Sequence, residues 1–376
     1  MQFPTKINKN TLLPFSPASL PSLQLKKDEA EKRNENPFAD FDDLDILNWY
    51  IHERQHTNAA NERSERTKKE YEKELRQFIS QLLTYPDEIG LDLGDVVEGS
   101  LFKSLSPRHL RRWQEWLIAE SPYVKKRGAY SQTAITRKTT IIRSFFQYLH
   151  RVGYIIEETH TGLRKATVRK DDRPNRDLGP GDVVIMLRGF REIEHTVMFG
   201  ILLTMTATGL RNEEFCRLDV SDIKRDRIQG GYFLNVLGKG NKRRQIPLKA
   251  EVYAAIQEYR KVRGLPLLEQ SAPDAPVFTT SRGTRFSPSY LNQYMKKEMQ
   301  KISPRLQGVE VDLTPHVFRH AFAIISHLNK VDIYDIMRSL GHEKIETTMI
   351  YLEKIFAKER HAVNQWTGDA LGEFLG

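Results

Sequence analysis

Apolar residues recur at helical spacing through most of this chain and switch to strand-like alternation in one place only. Tyr71, Leu75, Phe78, Ile79, Leu82 and Leu83 form one helical stripe, and Thr67 with Glu70 reads as a capping box ahead of it. Ser106 followed by Pro107 predicts a second helix start, after which Leu110, Trp113 and Leu117 share a face. Residues 131–151 predict a third helix with Ile135, Ile142, Phe145, Phe146 and Leu149 inward, leaving Arg137, Lys138 and Arg143 for the opposite side. Pro180 opens another, and the apolar run 196–207 suits a buried helix, being far short of the ~20 residues a bilayer requires. The exception is residues 232–237, the turn 238–242 and residues 244–248, which together read as a β-hairpin. Helices resume near residue 250, after Ser287-Pro288, after Thr314-Pro315 and over 332–339. The fold expected is mainly α with a small antiparallel β-sheet, without internal repeats.

A chain of 376 residues accommodates two domains plus extensions. Residues 1–40 carry Pro4, Pro14, Pro17, Pro21 and Pro37 and read as a flexible N-terminal extension, at most an arm for a partner. Residues 41–156 read as a helical domain, 157–177 as a linker with Gly162 and Pro174, and 178–376 as a second domain. The formal net charge of +9 favours a polyanionic partner, and its distribution sharpens the point. Residues 101–170 hold 15 Lys/Arg against 4 acidic residues, whereas residues 28–100 are acidic by 10 charges. Such a local excess fits a surface that tracks phosphates, although a plain solvated face carries charge as well. Cys216 is the only cysteine, which excludes an intrachain disulfide and points to a reducing, cytoplasmic setting. The first ten residues lack the apolar stretch of a secretion signal, so a soluble protein with no membrane partner is expected.

Five segments of the second half bring the candidate chemistry: residues 208–214, 238–242, 316–320, 340–342 and 347–351. Arg211 follows a Thr-Gly turn at a helix start, and Arg319 is a second guanidinium; such planar forks grip phosphate oxygens with paired hydrogen bonds. His316 and Arg319 are three apart near a helix N-terminus, so both can face one phosphate. Tyr351 is a candidate nucleophile whose phenol, with an ordinary pKa of about 10, needs cations or a base to lose its proton. A zinc site is not expected, for want of a metalloprotease motif or a cysteine cluster, and no cofactor is called for.

In this order and spacing the segments resemble the tyrosine recombinase family, the DNA strand-exchange enzymes that include phage integrases and the Xer proteins. The resemblance is specific over residues 178–355 and looser over 41–156, where a core-binding (SAM-like) helical domain would complete a two-domain DNA clamp. It implies that Arg211, Arg319 and His342 hold the scissile phosphate, that Lys239 protonates the departing 5′ oxygen, and that His316 exchanges a proton with Tyr351. Lys242, Arg243 and Arg244 remain alternatives to Lys239. Glu214 resembles the acidic residue that orients the first arginine, and His320 fits the motif in a supporting role. Phe318 stands where the family usually has leucine, a change of packing rather than chemistry. The partners implied are double-stranded DNA recombination sites, further copies of the chain in a tetrameric synapse with the C-terminal tail exchanged between subunits, and accessory DNA-bending proteins. A type IB topoisomerase-like enzyme and a non-catalytic DNA-binding protein on the same scaffold are the rival readings.

Overall fold

The computed structural model describes residues 17–53, 62–91, 100–165, 175–238, 242–309 and 311–366, and the chain divides into two compact units, Met1–Arg173 and Pro174–Gly376. The first unit is helical: α1 (Leu20–Lys32), α2 (Asp43–His52), α3 (Glu65–Thr84), α4 (Pro86–Ile89), α5 (Leu101–Ser104), α6 (Pro107–Ala119), α7 (Pro122–Arg127) and α8 (Gln132–Arg151). Its core is aromatic. Phe78 meets Trp113 edge-on at 4.8 Å and Phe102 meets Phe145 at 5.1 Å, the arrangement that ring quadrupoles favour.

Three expectations change here. Residues 17–40 are no irregular extension, because α1 buries Leu23 and Ala30, and Phe38 joins the same core. Pro21 sits in the first turn of α1, where no backbone N–H is needed, so it starts the helix instead of breaking it. Helix α3 begins one turn before Thr67: Ser64 is its cap and accepts from the Thr67 amide. The linker is shorter than residues 157–177, since Thr159 is fully buried and Gly162 packs so tightly that a Cβ would stand 1.8 Å from the Pro107 carbonyl oxygen. Residues 1–16 and residues 166–174 of that linker lie outside the described residues.

Arg137, Lys138 and Arg143 do not form a free basic face. Arg137 pairs with Glu70 at 3.1 Å, Lys138 with the buried Glu74 at 2.5 Å, and Arg143 donates to the carbonyls of His160 and Leu163. Helix α3 packs against α8 and its Glu70 and Glu74 take up the charges of Arg137 and Lys138. Arg111 on α6 and Lys126 and Arg127 on α7 are exposed, and Lys125 pairs with Glu88 at 3.6 Å.

The second unit contains α9 (Pro180–Glu192), α10 (Thr196–Thr208), α11 (Asn212–Arg217), β1 (Ile223–Arg225), β2 (Tyr232–Leu237), β3 (Arg243–Leu248), α12 (Ala250–Val262), α13 (Pro288–Met299), α14 (Pro315–Leu328), α15 (Ile333–Leu340) and α16 (Ile345–Glu359). Helix α10 is apolar on every side and lies in the core against α9, α12 and α14, as such a sequence requires. Strands pair antiparallel in the order β1-β2-β3, with Leu234 opposite Ile246 and Leu237 opposite Arg243. Leu234, Val236, Ile246 and Leu248 supply the buried face. β1 went unanticipated because three residues are too few to show alternation.

Candidate active site

Helix α10 ends at Gly209, whose φ of +59° is the left-handed conformation that closes a helix without a Cβ penalty. A Cβ there would approach Leu340 and Phe322 to 2.9 Å, so the turn is clamped between α14 and α15. This fixes Arg211, the residue capping α11. Its amide and its Nη1 each donate to Glu214 at 2.8 Å, and its Nη2 donates to the Gly341 carbonyl at 3.1 Å.

Glu214 is shared. Arg244, on β3, donates to both of its oxygens (3.0 and 2.7 Å) and through Nε to the Ser339 carbonyl at 3.1 Å. Burial would raise the Glu214 carboxyl, but the bonds from Arg244 and Arg211 prevail and hold it at about 2. It is therefore ionised at neutral pH and orients two guanidiniums at once. Arg244 stood among the alternatives to Lys239 as a proton donor; the structure gives it this orienting contact instead. Lys242 pairs with Glu343 at 2.8 Å. Lys239 lies outside the described residues, between Gly238 and Lys242 at the ends of β2 and β3.

Arg319 is only 1% exposed and spans two helix ends, donating from Nη1 to the Gly209 carbonyl and from Nη2 to that of Leu340, each at 2.6 Å. Its charge meets the negative ends of α10 and α15. Burial and the neighbouring Arg211 lower it to about 10, still protonated at pH 7. Arg211 and Arg319 thus rest on adjoining carbonyls, Arg211 on that of Gly341 and Arg319 on those of Leu340 and Gly209.

Tyr351, on α16, sits in a box of three imidazoles. His320 stacks on its ring at 3.7 Å with 27° between planes; His342 and His316 meet it edge-on at 5.1 and 5.9 Å. His342 is oriented by a 2.9 Å bond between Nδ1 and the Thr348 hydroxyl, and Thr348 lies one turn before Tyr351. Thr348 was visible in the sequence segment but had no assigned task; its three-residue spacing from the tyrosine was the available signal. The stacking by His320 was not legible, since spacing alone does not tell which of two histidines a third helix will cover. Among the described residues no group of His, Cys, Asp or Glu is arranged to hold a metal ion.

All three imidazoles are held far below the ordinary histidine range: His316 at about 4, His320 and His342 at about 3. Burial is the main cause, and the surrounding arginines add to it. The box is neutral at pH 7. A histidine with a lowered folded pKa binds fewer protons than its unfolded counterpart, so stability is full above about 6.5 and falls as pH drops towards 4. The free protein should lose on the order of 3 kcal/mol over that interval, the three shifts not being additive because the rings depress one another. Urea midpoints at pH 7 and pH 4.5 check this; equal midpoints would contradict a neutral box.

The phage integrase family matches residues 187–358. Among curated relatives, tyrosine recombinase XerC of Thermodesulfovibrio yellowstonii is 28% identical over 225 residues, 59% of this chain and 71% of that protein. XerC of Chlorobaculum parvum is 25% identical over 325 residues, 81% of this chain and 89% of the relative. Among solved structures, a lambda integrase dimer bound to a COC′ core site has a TM-score of 0.56 at 14% identity, covering 81% of this chain and 75% of that one. The post-cleavage complex of XerH recombinase with palindromic difH substrate has a TM-score of 0.53 at 18% identity, covering 76% and 77%. The two structures share the fold: mainly helical with a small antiparallel sheet.

Proposed function

We propose that this chain is a site-specific DNA recombinase of the tyrosine recombinase type, as its match to the phage integrase family over residues 187–358 and its XerC relatives support, and that Arg211, Lys239, His316, Arg319, His342 and Tyr351 are the residues that carry its strand transfer, with Glu214 and His320 supporting them. One observation carries the assignment of roles: two guanidiniums and three neutral imidazoles surround a single phenol within one chain.

The reaction follows from these groups. Tyr351 Oη attacks the scissile phosphorus, its proton passing to His316, which is neutral in the free protein and gains basicity when the phosphate's charge offsets the neighbouring arginines. Arg211 and Arg319 bind the non-bridging oxygens and stabilise the charge that accumulates in the transition state. His342 donates from the nitrogen that Thr348 leaves available. The bond from phosphorus to the 5′ oxygen breaks, and Lys239 delivers a proton to that oxygen. A 3′-phosphotyrosyl linkage results. A second 5′ hydroxyl then attacks it and restores both a phosphodiester and the tyrosine, so neither ATP nor a metal enters the balance. Water must be kept from the linkage, since hydrolysis would leave a nick.

The substrate is double-stranded DNA, which in a prokaryote means a cytoplasmic, nucleoid-associated enzyme; among the described residues no helix is long and apolar enough to cross a membrane. Exchange between two duplexes calls for four copies on paired sites. The C-terminal tail would link them: Val363 and Trp366 are exposed after α16, while Leu371 and Phe374 lie outside the described residues. Accessory DNA-bending proteins fit the same assembly. Incubating the protein with two labelled sites tests the proposal, with exchanged duplexes and a transient adduct mapped to Tyr351 as the expected products. Relaxation without exchange would favour a topoisomerase, and a mobility shift without adduct would remove the catalytic reading.

A further inference from the structure

The chain enters the second unit through Asn175, Arg176 and Asp177, and this tripeptide is tied to the helix that carries the tyrosine. Asn175 Oδ1 accepts from the Asp177 amide at 3.2 Å, which closes a small side-chain turn. Lys354, one helical turn beyond Tyr351 on α16, donates to the same Asn175 oxygen at 3.0 Å and pairs with Asp177 at 2.6 Å. Leu178, the next residue, is fully buried in the core. The turn is therefore fixed on both sides, by Lys354 and by Leu178, with Arg176 held between the two residues that Lys354 grips.

The charge of Arg176 bears on the active site. After burial it is the largest influence lowering His316, and after burial and His316 it is the next lowering His320. These are two of the three rings around Tyr351. Among the described residues, the other guanidiniums nearby already rest on protein groups: Arg211 and Arg244 share Glu214, and Arg319 is bonded to two carbonyls. Arg176 has neither an acidic partner nor a hydrogen-bond acceptor among the described residues. A half-buried guanidinium without a counter-charge, held beside a cage built for phosphate, is suited to an anion that arrives later.

We propose that Arg176 is a third guanidinium of the active site that binds a backbone phosphate of the DNA strand being cleaved, and that Lys354 is the positioning residue that holds it there. The inference deepens the recombinase reading and rests on it. Each phosphate neutralised by the protein contributes about 0.9 to the slope of log affinity against log salt. Each cation added to the transition state's surroundings also speeds cleavage, provided it is held before the reaction begins.

The test uses the full chain on a nicked suicide duplex, with four variants: Arg176→Gln, Lys354→Met, Lys354→Arg and the double Arg176→Gln/Lys354→Met. Arg176→Gln should reduce the salt slope by about 1 and slow single-turnover cleavage at saturating protein roughly 10-fold. Lys354→Met should reproduce both losses, and the double variant should be no worse than either single one, because both changes remove one interaction. Lys354→Arg, which can still span Asn175 and Asp177, should recover most of the rate. Wild-type slope and rate in Arg176→Gln would overturn the proposal, as would additive losses in the double variant. Wild-type protein serves as the control for the underlying reading. An adduct in wild type together with an unaffected Arg176→Gln sinks this inference alone, whereas no adduct in wild type sinks the recombinase assignment first.

Discussion

Tyr351→Phe should abolish covalent attachment to DNA, lowering single-turnover cleavage by at least about 10⁴-fold, the scale on which removal of an enzyme nucleophile acts. Fold and DNA affinity should stay close to wild type, because the change deletes one oxygen and keeps the ring. That ring is the part stacked on His320 at 3.7 Å and bounded by His316 and His342. The hydroxyl it loses faces Arg319, whose charge already rests on two carbonyl oxygens. The measurement is denaturing electrophoresis of protein trapped on a nicked suicide duplex, with a mobility shift under native conditions to show that binding survives. Persistent adduct in the variant would mean that another residue attacks.

Arg319→Lys tests the cage rather than the nucleophile, and it should damage two properties together. A lysine keeps the charge but has no fork, so it can satisfy one of the Gly209 and Leu340 carbonyls and leaves the other buried without a donor. An unpaired buried polar group costs about 1–3 kcal/mol, to be read from urea unfolding. Cleavage should fall by about 10²–10³-fold, the typical effect of losing one donor to a developing oxyanion. Full stability with a reduced rate would show that the two carbonyl bonds do not hold the helix ends together, and the account of how the cage is built would need replacing.

The order of elements in the second unit was readable because its helices begin with strong signals, Ser287-Pro288 and Thr314-Pro315 among them, and its hairpin alternates cleanly. The local settings of Arg211, before a helix, and of His342, after the helix-ending Gly341, could likewise be read from turn chemistry. What escaped was what depends on distant packing. Prolines at residues 17 and 21 suggested irregular chain, since a proline looks the same whether it breaks a helix or opens one. Lys138 looked like a solvent-facing cation because its partner, Glu74, is 64 residues away. Arg244 looked interchangeable with its basic neighbours until β3 aimed it at Glu214, 30 residues earlier. Gly162 read as part of the linker, whereas it is a point where two backbones nearly touch.

The imidazole box, its tyrosine and both arginines all belong to one polypeptide. On the proposed assignment, each copy in an assembly therefore draws these members of its reaction centre from its own chain. Two differently crippled subunits would be unable to complement one another, so an injury to any one gene copy stays confined to the protomers it encodes.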